Sequence, residues 1–232
     1  MDLDGRVAAV TGGTKGIGRA IAEALLDSGG SVVIGARTAA EVERSAAELG
    51  ERARGVVCDV QDPEACRRLV DAAVDAFGGL DILVNNAGVG IYKPVEELSV
   101  DEWNRTLHTN LDGIFYCTRA ALPRIKERGG GWIINIGSLA GKNAFPGGAA
   151  YNASKFGLIG FSEALMQEVR HDGVRVSYIM PGSVDTPGFS SGEADWKIQP
   201  EDIGQIVLDL LATPDRTLPS RIEVRPSRPP KK

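Results

Sequence analysis

The sequence is poor in the residues from which metal centres and disulfide frameworks are built. It contains two histidines, His108 and His171, and three cysteines, Cys58, Cys66 and Cys117. The cysteines are far apart and odd in number, so they form neither a recognised metal-ligand spacing nor a complete set of disulfide pairs. We therefore expect no metal site and three buried, reduced thiols.

Long apolar runs and an excess of basic charge are also missing. No apolar run approaches the roughly 20 residues that cross a bilayer. The first residues, MDLDGRVAAV, lack the basic and apolar regions of a signal peptide. The 26 basic and 31 acidic side chains give a formal net charge of −5, which argues against nucleic acid as a partner. We expect a cytoplasmic protein that binds neither membranes nor nucleic acid.

What the chain does contain is a regular alternation of short apolar runs with longer amphipathic stretches. Continuous apolar runs are typical of parallel strands that are covered on both faces. Their alternation with helices predicts an α/β fold, a doubly wound parallel seven-stranded sheet (Rossmann fold) with helices on both faces. The predicted strands are Val7–Val10, Ser31–Ala36, Gly55–Cys58, Ile82–Val84, Trp132–Ile136, Val174–Ile179 and Arg221–Val224. The predicted helices are Gly16–Ser28, Ala39–Leu49, Pro63–Phe77, Val100–Glu127, Tyr151–Arg170 and Pro200–Ala212.

The length of the chain suits a single domain, which we place at residues 1–225. Residues 226–232 read PSRPPKK, and this Pro-rich basic composition predicts a flexible tail. The segment Thr186–Gln199 is polar, contains glycine and is long enough to act as a lid.

A glycine-rich turn follows the first predicted strand. It reads Thr11-Gly12-Gly13-Thr14-Lys15-Gly16-Ile17-Gly18 and precedes a predicted helix. Glycines in such a turn let the backbone approach a pyrophosphate, and the helix aims its amide groups and its dipole at the same place. The segment therefore predicts a dinucleotide site, whereas a plain strand-to-helix turn would not need so many glycines. The predicted contacts are Gly12, Thr14, Lys15, Gly16, Ile17 and Gly18.

The end of the second predicted strand indicates which dinucleotide is bound. An NAD site has an acidic residue about 20 residues beyond the glycines, but Arg37 stands at this strand end. Arg37 and Lys15 together suit the 2′-phosphate of NADP(H). Asp59 and Val60 follow the third strand, where an acid can bind the adenine amino group. The alternative for Asp59 is a helix N-terminal acid ahead of Pro63.

Tyr151 and Lys155 are four residues apart in a predicted helix, so their side chains share one face. A nearby ammonium favours the phenolate and lowers the pKa of a tyrosine, which lets the tyrosine exchange a proton near neutral pH. On this pair alone, the alternative is a surface tyrosine beside a lysine that extends into solvent.

Two further motifs bear on that choice. Asn85-Asn86-Ala87-Gly88 follows the fourth predicted strand, and Ser138 follows the fifth, thirteen residues before Tyr151. Together with TGxxxGIG and YxxxK, they make the chain resemble the single-domain branch of the short-chain dehydrogenase/reductase family up to about Val224.

The resemblance implies a catalytic group of four residues. Ser138 would donate a hydrogen bond to the substrate carbonyl, and Tyr151 would be the acid–base group. Lys155 would lower the pKa of Tyr151 and bind the nicotinamide ribose. Asn110 would hold a water that links Lys155 to solvent; the alternative is a polar side chain that satisfies a kinked helix backbone, and the two roles are compatible. The resemblance also implies cofactor contacts from Asn86, Ala87, Gly88, Pro181, Gly182, Val184 and Thr186.

These residues predict NADP(H)-dependent reduction of a ketone or aldehyde, or oxidation of the matching alcohol. The candidate pocket walls are mostly apolar or aromatic, which favours a hydrophobic substrate, although Phe189 and Trp196 could equally serve loop packing. The other candidate walls are Val89, Ile91, Tyr92, Leu139, Phe145 and Gly182.

Two alternative functions remain at this stage. One is reduction of a 3-oxoacyl thioester, although Pro226-Ser227-Arg228-Pro229-Pro230 replaces the glycine pair usual in that subgroup. The other is a catalytically silent NADP(H)-binding regulator, but such family members commonly lose the tyrosine or the lysine. Apolar residues on more than one face of Val100–Glu127 and Tyr151–Arg170 favour a homo-oligomer, a dimer or a tetramer.

Overall fold

The protein is represented by a computed structural model that describes residues 2–187 and 195–230. Within these residues, seven strands form one parallel sheet in the order β3-β2-β1-β4-β5-β6-β7. The predicted doubly wound α/β fold is confirmed. The strands are β1 Val7–Thr11, β2 Ser31–Ala36, β3 Ala53–Val57, β4 Ile82–Asn85, β5 Gly131–Ile136, β6 Val174–Pro181 and β7 Arg221–Val224. The helices are α1 Gly16–Asp27, α2 Ala39–Leu49, α3 Pro63–Phe77, α4 Val100–Leu107, α5 Gly113–Glu127, α6 Ala149–Val169 and α7 Pro200–Leu211.

The sheet has an apolar core on each face. In β1, Ala8 and Val10 join a cluster with residues of α1 and α7, whereas Val7 and Ala9 join a cluster with residues of α3, α5 and α6. Alternate residues of a strand point to opposite faces, so a strand that is covered twice must be apolar throughout. This is why the strands appear in the sequence as unbroken apolar runs.

The long helix predicted at Val100–Glu127 is interrupted. A π-helical turn, His108–Asp112, separates α4 from α5. A π-helical turn changes the hydrogen-bonding pattern for only a few residues, so apolar periodicity did not reveal it. The turn leaves the side chain of Asn110 fully buried.

The third strand begins two residues earlier than predicted, at Ala53, and ends at Val57 instead of Cys58. It is one of the two edge strands of the sheet, and Arg54 and Gly55 are exposed. Because only part of such a strand is apolar, its start is poorly marked in the sequence. The amide of Cys58 still donates to Ala36 O at 2.8 Å, but the chain turns away directly after it.

The sheet order brings β1 and β4 together although they are far apart in the sequence. Their register pairs Val10 with Val84, so the glycine turn after β1 lies beside the segment that follows β4. In doubly wound sheets, ligands bind in the crevice at the carboxyl ends of the strands where the strand order reverses. β1 and β4 form that crevice here.

Other sequence expectations concern the cysteines, membrane-spanning helices, metal sites and the predicted lid. Cys58, Cys66 and Cys117 are buried free thiols, and hydrogen bonding with Cys66 and burial raise the pKa of Cys58. No described helix is long and apolar enough to cross a membrane, and no described group of three or more His, Cys, Asp or Glu residues could hold a metal ion. Phe189 and the middle of the predicted lid lie outside the described residues.

Candidate active site

The turn after β1 takes a shape that only glycine adopts readily. Gly12 and Gly16 have φ angles of +64° and +56°, in the left-handed region that L side chains avoid. Lys15 precedes α1 in an extended conformation, without a side-chain cap and without an acidic residue in the first helical turn. The first amide groups of α1 are therefore left to face a ligand.

A hydrogen-bonded bridge, formed by Thr11 and Asn86, fixes this turn against the end of β4. Thr11 Oγ1 accepts hydrogen bonds from the amides of Asn86 and Ala87, both at 3.0 Å. Asn86 Nδ2 donates to Thr11 O at 3.0 Å and to Gly12 O at 3.2 Å. A Cβ on Gly18 would lie 2.3 Å from Gly12 O and 2.4 Å from Asn86 Nδ2. Gly18 is therefore required by the bridge.

Sequence reasoning did not assign Thr11 a role in the site. The threonine that precedes the first glycine of TGxxxGIG is the signal that could have indicated it. Its hydroxyl is buried and bonded to the segment after β4, so Thr11 positions the site without lining it.

A cleft of about 320 Å³ opens at the carboxyl ends of these strands. This volume falls within the range of about 300 to 1,000 Å³ that is usual for small-molecule sites. Most of the predicted cofactor residues line it: Gly12, Thr14, Lys15, Gly16, Ile17, Arg37, Asp59, Val60, Asn86, Ala87, Gly88 and Thr186. Thr109 also lines the cleft, and its buried hydroxyl has no hydrogen-bond partner among the described residues.

The predicted phosphate end of the cleft is basic. Lys15 and Arg37 both line it and are exposed, and neither forms an ion pair with any residue in the described ranges. Glu41 is the acidic residue at this end. The two cations are thus available to an anionic ligand.

Asp59 does not cap the helix that follows it. Asp62 precedes α3, and its side chain accepts a hydrogen bond from the amide of Glu64 at 2.9 Å. Asp59 Oδ1 instead accepts from the amide of Gln61 at 3.1 Å. The alternative role of Asp59 as a helix N-terminal acid is therefore wrong, and its carboxylate lines the cleft.

Tyr151 and Lys155 lie together on one face of α6, as their spacing predicted. Lys155 Nζ is 5.7 Å from the centroid of the Tyr151 ring and donates to Ile136 O at 3.1 Å. Ser138 acts on the Tyr151 hydroxyl and lowers its pKa, while Ser138 Oγ accepts a hydrogen bond from the amide of Ala140 at 3.1 Å. The fold thus places the end of β5 beside α6 and brings together three of the four predicted catalytic residues.

Burial governs the pKa values of this pair. It lowers the pKa of Lys155 to about 8 because a buried ammonium is poorly solvated. Burial also raises the pKa of Tyr151, and the interaction with Ser138 opposes this shift. The direction for Tyr151 is opposite to the one predicted from spacing. Burial is the dominant cause, because it removes the phenolate from water.

Asn110 connects the loop after β4 to α6. Its Oδ1 accepts from the amide of Val89 at 2.8 Å, and its Nδ2 donates to Val89 O at 2.8 Å and to Ser154 Oγ at 3.1 Å. Both amide hydrogens are used. The side chain therefore does not satisfy the backbone of its own helix, and that alternative is wrong. A Cβ on Gly88 would lie 3.3 Å from Asn110 Oδ1 and 3.9 Å from Lys155 Nζ, so this loop passes close to the lysine.

An aromatic wall, formed by Tyr92 and Phe145, stands beside Tyr151. The Tyr92 ring packs edge-on against Tyr151 with centroids 5.5 Å apart, and it lies 5.6 Å from the Phe145 ring. Both wall residues are more than 40% exposed. A Cβ on Gly148 would lie 2.7 Å from the Phe145 ring, so this glycine makes room for the ring.

The remaining predicted residues belong to the segment after β6. Pro181 ends β6, and the amide of Gly182 donates to Val224 O at 2.8 Å. A Cβ on Gly182 would lie 3.1 Å from Pro226 Cδ and 3.2 Å from Leu139 Cδ1. Val184 pairs with Ile198, and Thr186 Cγ2 would lie 3.3 Å from a Cβ on Gly16. The segment therefore returns to the glycine turn.

A comparison with protein families agrees with this arrangement. The sequence profile described as short chain dehydrogenase matches residues 6–196. The chain belongs to the short-chain dehydrogenase/reductase family of oxidoreductases. This confirms the resemblance found in the sequence.

Individual relatives differ in substrate and cofactor. A 3-alpha-(or 20-beta)-hydroxysteroid dehydrogenase of Mycobacterium bovis is 41% identical over 212 residues, covering 91% of this chain and 79% of that protein. The 3-ketoacyl-(acyl-carrier-protein) reductase of Brucella melitensis, solved with NADH, has a TM-score of 0.91 and 30% identity. An alcohol dehydrogenase of Thermococcus sibiricus, solved with 5-hydroxy-NADP, has a TM-score of 0.89 and 29% identity. Both structural matches cover 98% of this chain and 99% of the other.

Replacing Lys155 with methionine should stabilise the protein in a pH-dependent way. The pKa of Lys155 is about 10.4 in the unfolded chain and about 8 in the folded protein. Below pH 8, folding therefore buries a charged lysine. Between these values the unfolded state binds more protons, so the wild type gains stability as pH rises. The free energy of unfolding of Lys155→Met, relative to wild type, should fall by about 3 kcal/mol between pH 7 and pH 10.5. Denaturant unfolding at several pH values measures it.

Lys15→Met is the matched control, because Lys15 is exposed and forms no ion pair with a described residue. Its effect on the free energy of unfolding should stay constant over the same pH range. A constant difference for Lys155→Met as well would contradict the burial of a titrating ammonium.

Proposed function

We propose that the protein is an NADP(H)-dependent oxidoreductase that reduces a hydrophobic ketone or aldehyde, or oxidises the matching alcohol. The observation that carries the proposal is the grouping of Tyr151, Ser138 and Lys155 beside an exposed aromatic wall. A proton donor, a second hydrogen-bond donor and an apolar surface are then available to one carbonyl group.

The residues of the cleft fit a dinucleotide. The turn after β1 presents backbone where side chains would block approach, and the first amides of α1 have no side-chain cap. In this proposal the turn and α1 hold the pyrophosphate, Asp59 the adenine and Lys155 the nicotinamide ribose. Asn86, Ala87 and Gly88 would lie along the adenosine side, and Val184 and Thr186 would meet the carboxamide. When bound, the nicotinamide supplies or accepts the hydride.

Protein side chains provide the remaining chemistry. Ser138 and Tyr151 hydroxyls would donate hydrogen bonds to the carbonyl oxygen and stabilise the negative charge that develops there. Tyr151 would then give its proton. Because burial raises the pKa of Tyr151, the phenol stays protonated at neutral pH and is ready for reduction. Lys155, with a pKa of about 8, can return a proton to it near neutral pH.

The preference for NADP(H) rests on the two cations of the cleft. Lys15 and Arg37 lack ion-pair partners among the described residues, which suits a ligand phosphate better than a ribose hydroxyl. The solved relatives were obtained with NADH in one case and with 5-hydroxy-NADP in the other. The fold therefore accommodates both kinds of cofactor, and local charge supports the choice proposed here.

Arg37→Asp should reverse the cofactor preference. The change removes a guanidinium that would bind the 2′-phosphate and adds a carboxylate that can bind ribose hydroxyls. We expect the ratio of kcat/KM for NADPH to that for NADH to fall by roughly 10-fold to 100-fold, since a hydrogen bond to a charged group contributes about 1.5–3 kcal/mol. Steady-state kinetics with both cofactors measure the ratio. Arg216→Asp is the control, an exposed arginine outside the cleft. An unchanged ratio in Arg37→Asp would rule out the assignment.

Tyr151→Phe should abolish turnover while cofactor binding survives. Phenylalanine keeps the ring that packs against Tyr92 but loses the hydroxyl, and with it the proton and the interaction with Ser138. Removing a single donor to a developing oxyanion costs about 10²–10³ in kcat, and loss of the proton donor adds to this. NADPH fluorescence titration and turnover assays give the two readouts, and Tyr116→Phe in α5 serves as the control. Retained turnover in Tyr151→Phe would exclude its role in proton transfer.

Tyr92→Ala should weaken selection for hydrophobic substrates. Removing the ring leaves a gap in the aromatic wall next to Tyr151. A substrate then has less apolar surface to contact. We expect KM for a bulky hydrophobic ketone to rise at least 5-fold, about 1 kcal/mol of lost apolar contact, with little change for a small ketone. Tyr92→Phe keeps the ring and should behave like the wild type. Equal KM changes for both ketones would argue against the wall as a substrate surface.

Reduction of a 3-oxoacyl thioester is the second candidate function. The likeness to the Brucella melitensis reductase favours it. Against it, Pro226 belongs to the tail that replaces the glycine pair of that subgroup. Pro226 also lies beside Gly182, a candidate wall of the substrate pocket. A substrate panel that includes an acetoacetyl thioester beside hydrophobic ketones distinguishes the two. A catalytically silent NADP(H)-binding regulator is disfavoured because Ser138, Tyr151 and Lys155 lie together at one site. Tight NADPH binding with no turnover across the panel would support the regulator.

We also infer self-association through the surface formed by α4, α5 and α6. Phe115 and Phe156 are large side chains that are 44% and 47% exposed, and Trp103 is 37% exposed. Phe115 lies edge-on to Phe161 of α6, with centroids 6.5 Å apart, so α5 and α6 share one apolar face. Exposed apolar surface of this kind is typical of an interface. We further propose that residues 1–225 form a single domain and that the protein is cytoplasmic.

A further inference from the structure

A second cavity lies at the opposite end of the sheet from the proposed cofactor cleft. Its volume is about 450 Å³, larger than that of the cleft. Its wall includes residues at the amino ends of β1, β4, β5 and β6, namely Arg6, Asp81, Trp132 and Arg175. The proposed reaction uses none of these residues. We call this space the arginine cavity, after Arg6, Arg128, Arg170 and Arg175, which all line it.

The lining of the arginine cavity carries a net positive charge. Four arginines face two acidic residues, Asp81 and Asp215. Asp81 is buried, and its carboxylate is already hydrogen-bonded within the protein. It accepts from the amide of Val7 at 2.9 Å, from Arg6 at 2.9 Å and from Arg128 at 3.3 Å. Asp81 therefore anchors two of the arginines and neutralises one charge.

The other two arginines are not satisfied by the protein. The side chain of Arg170 forms no hydrogen bond or ion pair with any residue in the described ranges. Arg175 stacks on Trp132, 4.2 Å from the ring centroid. Its buried Nη1 has no hydrogen-bond partner there, although Asp215 Oδ1 lies 3.3 Å away. The Asp215 side chain is fully exposed, so that ion pair contributes little.

The charges of the cavity also repel one another. Burial lowers the pKa of Arg175; the charge of Arg6 lowers it further, and Asp215 opposes both. A buried donor without an acceptor costs about 1–3 kcal/mol, and more when it is charged. An anion bound in the cavity would supply the missing acceptor and relieve the repulsion.

Glycines form part of the wall of the cavity. Gly129, Gly130, Gly131 and Gly173 line it, and Gly129 and Gly130 have φ angles of +85° and +118°, at which other residues are strained. A Cβ on Gly130 would lie 2.4 Å from Gly173 O, and one on Gly131 would lie 2.1 Å from Asp81 O, so these two glycines permit close backbone contacts at the wall of the cavity. Its volume exceeds that of a single ion and lies within the range of small-molecule sites.

We propose that the arginine cavity binds the phosphate group of a small ligand, with Arg170 and Arg175 as its principal donors. A guanidinium presents two parallel N–H groups that match the oxygens of a phosphate. Arg6 and Arg128, held by Asp81, add positive charge around the same anion. This site is separate from the cofactor cleft, and neither requires the other.

Equilibrium titration of the full chain with inorganic phosphate and with glycerol 3-phosphate tests the proposal. Arg170→Gln and Arg175→Gln should each raise the Kd about 10-fold, the loss of one charge-assisted hydrogen bond. Asp215→Asn should lower the Kd several-fold, because Arg175 loses its competing carboxylate. A purely structural role for these residues would not make binding tighter in Asp215→Asn. Tighter binding of glycerol 3-phosphate would identify a phosphate monoester, and equal binding would identify the free ion.

Three controls keep the outcome interpretable. Arg105→Gln changes an exposed arginine outside the cavity and should leave the Kd unchanged. Arg37→Gln reports phosphate that binds in the cofactor cleft instead. The side chain of Arg170 is exposed and has no partner in the described ranges, so Arg170→Gln should remain folded even if Arg175→Gln loses stability. Thermal unfolding checks both variants.

Three outcomes would overturn the proposal: absence of binding, binding that is lost only in Arg37→Gln, or equal Kd values in wild type, Arg170→Gln and Asp215→Asn.

Discussion

The bridge between Thr11 and Asn86 joins the two strands at which the sheet reverses its order. Thr11 Oγ1 receives two backbone amides from the segment after β4, and Asn86 returns two hydrogen bonds to the backbone around Gly12. The bridge thus fixes the glycine turn against the loop after β4 at the cleft. The bridge also explains Gly18, where any side chain would occupy the place of Asn86 Nδ2.

A second set of constraints acts on the proposed proton-transfer group. Asn110 binds the backbone of Val89 on one side and Ser154 of α6 on the other, which brings the loop after β4 close to Lys155. Both side chains of the group are buried, and burial lowers the pKa of Lys155 and raises that of Tyr151. In our account the phenol is protonated at rest, and the neighbouring lysine has a pKa low enough to exchange protons. Desolvation, more than attraction between the two charges, determines this state.

The sequence predicted those features that depend on local spacing. The glycine turn, the helical pair Tyr151–Lys155 and the continuous apolar strands are all encoded within a few residues, and the structure has them where they were expected. Features that depend on contacts between distant residues were missed or mistaken. Thr11 acts through Asn86 across the sheet. The direction of the Tyr151 pKa depends on burial by other elements. Asn110, in the π-helical turn, bonds to Val89, a contact that the spacing of α4 and α5 does not show.

The central claim is that this chain transfers a hydride from NADPH to a carbonyl carbon. It is tested most directly by incubating the protein with a hydrophobic ketone and NADPH that carries deuterium at one of the two C4 positions of the nicotinamide. The alcohol is then analysed by mass spectrometry and NMR. Our account predicts an alcohol with one deuterium on the carbinol carbon for one C4 epimer and none for the other, because the enclosed site presents a single face of the cofactor. Alcohol that lacks deuterium with both epimers would contradict it.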